Sequence, residues 1–239
     1  MSTFKRMQDD FNQMVDRLQE YSGLDKHLLK NIAMYAKCLP RKDSDMIDEP
    51  IFMAQMSNRF KLSNSFMISR IYSVTKTAKA GHATVEEYCR LICTFLTDSL
   101  DTQIDFVFRV YDTNQDGGIS QLELVQLLRP CVTSSDEDVD LDEALRELIE
   151  VVMQATDTNQ NGTIDLEEFR QLVKKDILML QCLGPCLPHQ QVVKQFRKLI
   201  EGKAANEGAE TFANERKKSL KEVEIKSKEG LYPIKLELP

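Results

Sequence analysis

Tryptophan is absent from this chain of 239 residues, and histidine occurs only three times. Neither a Gly-rich phosphate loop nor a nucleophile paired with a base appears, so no catalytic residue is expected and a non-enzymatic role follows. The six cysteines, at 38, 89, 93, 131, 182 and 186, contain no Cys-x-x-Cys pair. Without an export signal they read as free, buried thiols. Cys182, Cys186 and His189 offer three zinc ligands, but a fourth is missing and Pro185 and Pro188 interrupt the stretch, so no zinc site is expected. No run approaches eighteen apolar residues, which excludes a membrane-spanning helix from the reading. The start, Met1 to Arg6, lacks the apolar core of a signal peptide, and Ser2 stands where N-myristoylation needs glycine. No membrane anchor is therefore expected. An overall basic balance is lacking too. Net charge is −7, and residues 101–201 alone carry 9 basic and 19 acidic side chains. That distribution argues for cation binding and against nucleic acid as a partner.

What is present explains the acidity. Residues 112–123 read D-T-N-Q-D-G-G-I-S-Q-L-E and residues 157–168 read D-T-N-Q-N-G-T-I-D-L-E-E. Both fit the calcium-binding EF-hand loop, D-x-[DN]-x-[DN]-G-x5-E. Calcium takes six to eight oxygens, so the chain must wrap a small sphere with alternate residues. In the first loop Asp112, Asn114 and Asp116 supply side-chain oxygens, Gly118 a backbone carbonyl and Ser120 a direct or water-mediated contact. Glu123 closes the site with both carboxylate oxygens. Asp157, Asn159, Asn161, Thr163, Asp165 and Glu168 take the same places in the second. Gly117 and Gly162 hold the sixth place, where the turn favours a residue without a β-carbon. Two bound Ca2+ ions are expected. Three carboxylates per loop point to affinities on the order of 10⁻⁷–10⁻⁵ M, the sensor range.

Apolar periodicity places helices around these loops. Phe4, Met7, Phe11, Met14, Leu18 and Tyr21 recur three and four apart, either as an ordinary packing helix or as a docking helix for a partner coiled coil. Leu24 to Tyr35 form a second helix, and Pro50 opens a third, giving the outline of a hand with no usable ligand order. Residues 76–87 align as a further hand. Gly81 and Glu87 hold the sixth and twelfth places, but Lys76, Ala78 and Ala80 offer no oxygen, so no metal is expected there. Ile119 and Ile164, each at the eighth place of its loop, are expected to pair in a short antiparallel bridge. Residues 133–140 read as a solvated acidic linker. The apolar stretch 177–188 either lies across the groove of the C-terminal hands or caps the body permanently. Residues 189–201 suggest one more amphipathic helix, and the Lys- and Glu-rich remainder cannot support a core.

The expected fold is thus all-α, an EF-hand architecture of two lobes of paired helix–loop–helix hands. Four hands are expected, two of them degenerate, with an extra N-terminal helix and a C-terminal tail. The segments are 1–22 for the N-terminal helix, 23–99 for the degenerate pair and 100–175 for the calcium-binding pair. A helical extension at 176–201 and a charged tail at 202–239 complete it.

The second intact hand is followed by Leu183, Gly184, Pro185, Cys186, Leu187 and Pro188. That combination, with the long acidic linker between the last two hands, resembles the calaxin-like EF-hand calcium sensors over roughly residues 24–195. The resemblance implies a two-lobed, neuronal-calcium-sensor-like protein of the axoneme in cilia or sperm flagella. Its implied partners are outer-arm axonemal dynein or docking-complex coiled coils, and its implied role is to regulate or dock dynein. The missing ligands at 76–87, the helix at 3–21 and the tail are departures from that pattern. Two other readings stand beside it: a constitutive structural subunit of the axoneme, and a calcium-binding regulatory subunit of an enzyme, of the phosphatase B type.

Overall fold

The computed structural model describes residues 3–39, 46–76, 81–131 and 140–203. The tail and most of the acidic linker lie outside the described residues, as do Ala78 and Ala80 of the degenerate loop. The described residues are mostly helical, with two short two-stranded sheets between paired helix–loop–helix units, an all-α EF-hand fold. It divides into two units, one of residues 1–97 with 188–239 and one of residues 98–187.

The first unit begins with helices α1 (Thr3–Ser22) and α2 (Lys26–Lys37). Strand β1 (Met46–Ile47) and helix α3 (Glu49–Asn58) complete the first hand, with Pro50 in the opening turn of α3. Helix α4 (Ser65–Thr75), strand β2 (Ala83–Thr84) and helix α5 (Val85–Leu96) form the second. The two-residue strands pair antiparallel, Ile47 opposite Ala83. Gly81 keeps a φ of +67°, the left-handed turn its sixth place calls for. The hand-pair scaffold thus survives here although the ligands have gone. Thr84 and Glu87 form a capping box at the start of α5. Glu87 therefore has a role in capping the start of α5 that needs no ion.

Helix α1 packs on its own unit. Met14, Val15 and Leu18 are buried against α2 and α5, which settles the C-terminal half of the helix as ordinary packing. Met7, in the N-terminal half, is exposed. Arg17 Nη2 donates to Glu86 Oε2 at 2.6 Å, Arg90 Nη2 reaches Glu86 Oε1 at 3.0 Å, and Lys26 pairs with Asp16. The Arg17 guanidinium holds the Glu86 carboxyl below its ordinary 4.5; burial opposes this and Arg90 adds to it. Because the folded value is the lower one, this stabilisation is complete above the unfolded value and is lost as pH falls through the folded one. Glu86→Gln is expected to reduce stability by about 0.5–1 kcal/mol near neutral pH. Urea unfolding at several pH values checks the sign. The gap between wild type and variant should close below about pH 4, and a gap independent of pH would contradict it.

The segment expected as one extension at 176–201 is redrawn. Residues up to Leu187 belong to the second unit, whereas helix α10 (Gln190–Lys203) belongs to the first. The cause is aromatic packing. Phe196 and Ile200 are buried, and the Phe196 ring lies 5.2 Å from Tyr35 and 5.0 Å from Phe60. Phe60 in turn meets Phe95 at 5.2 Å. Alpha-helical spacing of Phe196 and Ile200 puts both on the face that meets α2 and α5. The helix is therefore part of a core, not an appendage to one.

Cys89 and Cys93 are buried in α5 as expected, and burial pushes the Cys93 thiol up to about 11. Cys182 departs from the expectation of burial, since it is exposed.

Candidate metal centre

The second unit holds both intact loops. Helix α6 (Leu100–Tyr111), strand β3 (Gly118–Ser120) and helix α7 (Gln121–Leu128) carry the first. Helix α8 (Leu141–Thr156), strand β4 (Thr163–Asp165) and helix α9 (Leu166–Lys175) carry the second. Ile119 pairs with Ile164, so the bridge expected at the eighth places is present and joins the loops back to back. Both isoleucines are buried. Arg170 on α9 donates to Asp105 on α6 at 2.7 Å, tying the helix before the first loop to the one after the second.

The two loops share a backbone. Gln115 and Gln160, each at the fourth place, have φ of +60° and +59°, and Gly117 and Gly162 have +93° and +85°. A β-carbon at Gly118 would stand 3.3 Å from Thr163 Cβ, which fits its place in the bridge. The first-place aspartates act as hubs. Asp112 accepts from Asp116 N at 3.3 Å and Gly117 N at 3.0 Å; Asp157 accepts from Asn161 N at 3.1 Å and Gly162 N at 2.9 Å. The third and fifth places make the next turns. Asn114 Oδ1 accepts from Asp116 N and Asp116 Oδ1 from Gly118 N; Asn159 Oδ1 accepts from Asn161 N and Asn161 Oδ1 from Thr163 N. These side chains fold the loop while leaving further oxygen lone pairs for a cation.

Glu123 and Glu168 are buried at 3% and 6% exposure, unusual for carboxylates and explained by their donors. Glu123 Oε2 accepts from Ser120 N and Oγ, both at 2.8 Å, and Oε1 accepts from Thr113 N at 2.6 Å and Asn114 N at 3.0 Å. Glu168 repeats the pattern with Asp165 N, Thr158 N and Asn159 N at 3.0–3.1 Å. Burial pushes the Glu123 carboxyl up, but donors from Ser120, Asn114 and Thr113 outweigh it and hold the group below its ordinary value. An ionised, buried closing carboxylate is what a divalent cation needs.

All twelve expected ligand positions lie in these two loops. Their donor set is wholly oxygen, three carboxylates per loop with amide, hydroxyl and carbonyl groups, which fits Ca2+ and not a thiolate- or imidazole-seeking metal. No cage of three His, Cys, Asp or Glu side chains is assembled among the described residues. The carboxylates instead face the loop's own N–H groups. Sequence reasoning missed a second task of the ninth and twelfth residues, which cap the exit helices as boxes: Ser120 with Glu123 and Asp165 with Glu168. The pattern Ser/Asp-x-x-Glu was the available signal.

Residues 177–187 pack on this unit through a 3-10 turn (Ile177–Gln181) that meets α6 and α9. Leu180, Leu183 and Cys186 are buried, while Ile177 and Leu178 are exposed. The Tyr111 hydroxyl donates to the Gly184 carbonyl at 2.7 Å, and Gln181 Oε1 accepts from the N–H groups of Cys186 and Leu187. Burial pushes the Cys186 thiol up to about 12, so it is a packing group and not a nucleophile. The stretch thus covers the end of α6 that leads into the first loop.

Comparison with known proteins agrees with this geometry. Residues 101–174 match the family described as an EF-hand domain pair. The chain is similar to calaxin of Danio rerio, 27% identical over 156 residues that cover 65% of this chain and 74% of that protein. Human calaxin is 25% identical over 63% of this chain and 71% of its own. One calcineurin subunit of Candida glabrata is 26% identical over 58% of this chain and 77% of its own. By fold and site the second unit is an EF-hand pair of the calcium-binding kind. More narrowly, the chain that carries this pair is similar to the calaxins over more than half of its length.

Proposed function

We propose that this chain binds two Ca2+ ions, at Asp112, Asn114, Asp116, Gly118, Ser120 and Glu123 and at Asp157, Asn159, Asn161, Thr163, Asp165 and Glu168. On this reading it is a sensor and adaptor of the axoneme that regulates or docks outer-arm dynein in cilia or flagella. The observation that carries calcium sensing is the duplicated loop geometry, two buried closing glutamates joined through the Ile119–Ile164 bridge. The axonemal assignment is supported by the likeness to calaxin, which extends beyond the matched hand pair. The partners of this reading are axonemal dynein or docking-complex coiled coils.

When bound, calcium would supply positive charge at the loop centre. The chain's own part is mechanical. Each closing glutamate is the third residue of an exit helix, so any change in its position is transmitted to α7 or α9. Sensor hands open an apolar surface in this way. A second reading, a constitutive subunit whose ions stabilise the fold, is favoured by residues 177–187, whose Leu180, Leu183 and Cys186 are buried within this unit. Affinity capture from flagellated cells, with calcium and with chelator, separates them. Recovery of dynein or docking-complex chains that changes with calcium supports the sensor, and equal recovery supports the constitutive subunit. Recovery of a phosphatase catalytic chain without axonemal proteins would overturn both.

A further inference from the structure

The second place of an EF-hand loop supplies no ligand, yet both loops carry threonine there and both threonines make the same contact. Thr113 Oγ1 donates to Glu123 Oε1 at 3.0 Å, and Thr158 Oγ1 donates to Glu168 Oε1 at 3.0 Å. We infer that Thr113 and Thr158 are positioning residues that hold the closing glutamates ready for calcium. This inference rests on the two-site reading above.

The argument is one of anchorage at both ends. Each glutamate is tied by one carboxylate oxygen to the ninth residue of its loop, through Ser120 N or Asp165 N. The other oxygen is tied to the second and third residues, ten and nine positions back along the chain. A carboxylate held at one oxygen can still swivel about its last carbon–carbon bond. Held at both, its plane is fixed before an ion arrives. Two backbone N–H groups contribute to the far anchor in each loop, and the threonine hydroxyl adds a side-chain donor to them. Fixing the plane matters for calcium, which takes both oxygens of the twelfth residue. It matters less for Mg2+, which keeps several waters and uses fewer protein carboxylates. The threonines therefore act on both affinity and ion choice.

Thr→Val preserves shape and removes the donor, while Thr→Ser preserves the donor. Calorimetric titrations of the full chain with Ca2+ and, separately, Mg2+ compare wild type with T113V/T158V and T113S/T158S. The Val pair is expected to weaken calcium binding about tenfold, the scale of groups that orient metal ligands, with a smaller loss for magnesium. The Ser pair is expected to restore wild-type affinity. Each threonine is also changed to valine alone, which should weaken one site of the two. Wild-type calcium affinity in the Val pair overturns the inference, as does a Ser pair that loses as much as the Val pair. No saturable calcium binding by the wild type overturns the two-site reading itself, a separate failure.

Discussion

Replacing Glu123 and Glu168 together by glutamine is expected to push calcium binding from the 10⁻⁷–10⁻⁵ M range to beyond about 10⁻³ M. Glutamine removes one negative charge per loop and leaves a single good acceptor where calcium takes two. The cap of the exit helix should persist, because glutamine serves at the third helical position of a capping box. Ser120 N and Asp165 N, which donate to the glutamates at 2.8 and 3.0 Å, can donate to an amide oxygen instead. The amide nitrogen cannot accept from Thr113 N and Asn114 N, or from Thr158 N and Asn159 N. The variant should therefore melt in chelator below the wild type and also lose the upward shift in melting temperature that calcium gives. Isothermal calorimetry with parallel thermal melts reads both. Calcium affinity within a few fold of the wild type would contradict the assignment of these carboxylates.

Phe196→Ala is expected to destabilise the first unit by about 3–5 kcal/mol, the cost of removing a buried phenylalanine from a packed core. Its ring is 2% exposed and lies against Tyr35 and Phe60 with centroids 5.2 and 5.0 Å away. Neither neighbour can move in to fill the space easily, since Tyr35 is bound through its hydroxyl to Gln55 and Phe60 is packed on Phe95. Calcium stoichiometry should be unchanged, because both loops belong to the other unit. Guanidinium unfolding followed by circular dichroism, with a calcium titration of the same preparation, tests both parts. A loss under about 1 kcal/mol would show that α10 is dispensable to this core.

These two experiments fall on either side of what the sequence could disclose. The loops were legible because calcium imposes a fixed spacing of oxygens and a glycine, and no competing pattern shares it. The degenerate hand at 76–87 was legible for the same reason in reverse: Gly81 and Glu87 kept their places while Lys76 could not serve. The bridge between Ile119 and Ile164 followed from their equal places in the two loops. The destination of α10 was not legible. Amphipathic spacing of Val192, Val193, Phe196 and Ile200 shows that a face is buried, but says nothing of which core receives it. The heptad-like spacing from Phe4 to Tyr21 was equally silent, and only the burial of Met14, Val15 and Leu18 separates the packed half of α1 from the exposed one. The hydroxyls of Thr113 and Thr158 were passed over because ligand reasoning skips the second place.

The central claim is that two loops in the second unit bind calcium while the first unit keeps the hand-pair scaffold without the ligands. Calcium stoichiometry of the full chain tests it most directly, by calorimetry in magnesium-containing buffer with the bound metal confirmed by native mass spectrometry. Two ions per chain, with affinities on the order of 10⁻⁷–10⁻⁵ M, is the result the account predicts. No saturable binding below about 10⁻³ M, or a third ion that survives Glu123→Gln and Glu168→Gln, would contradict it.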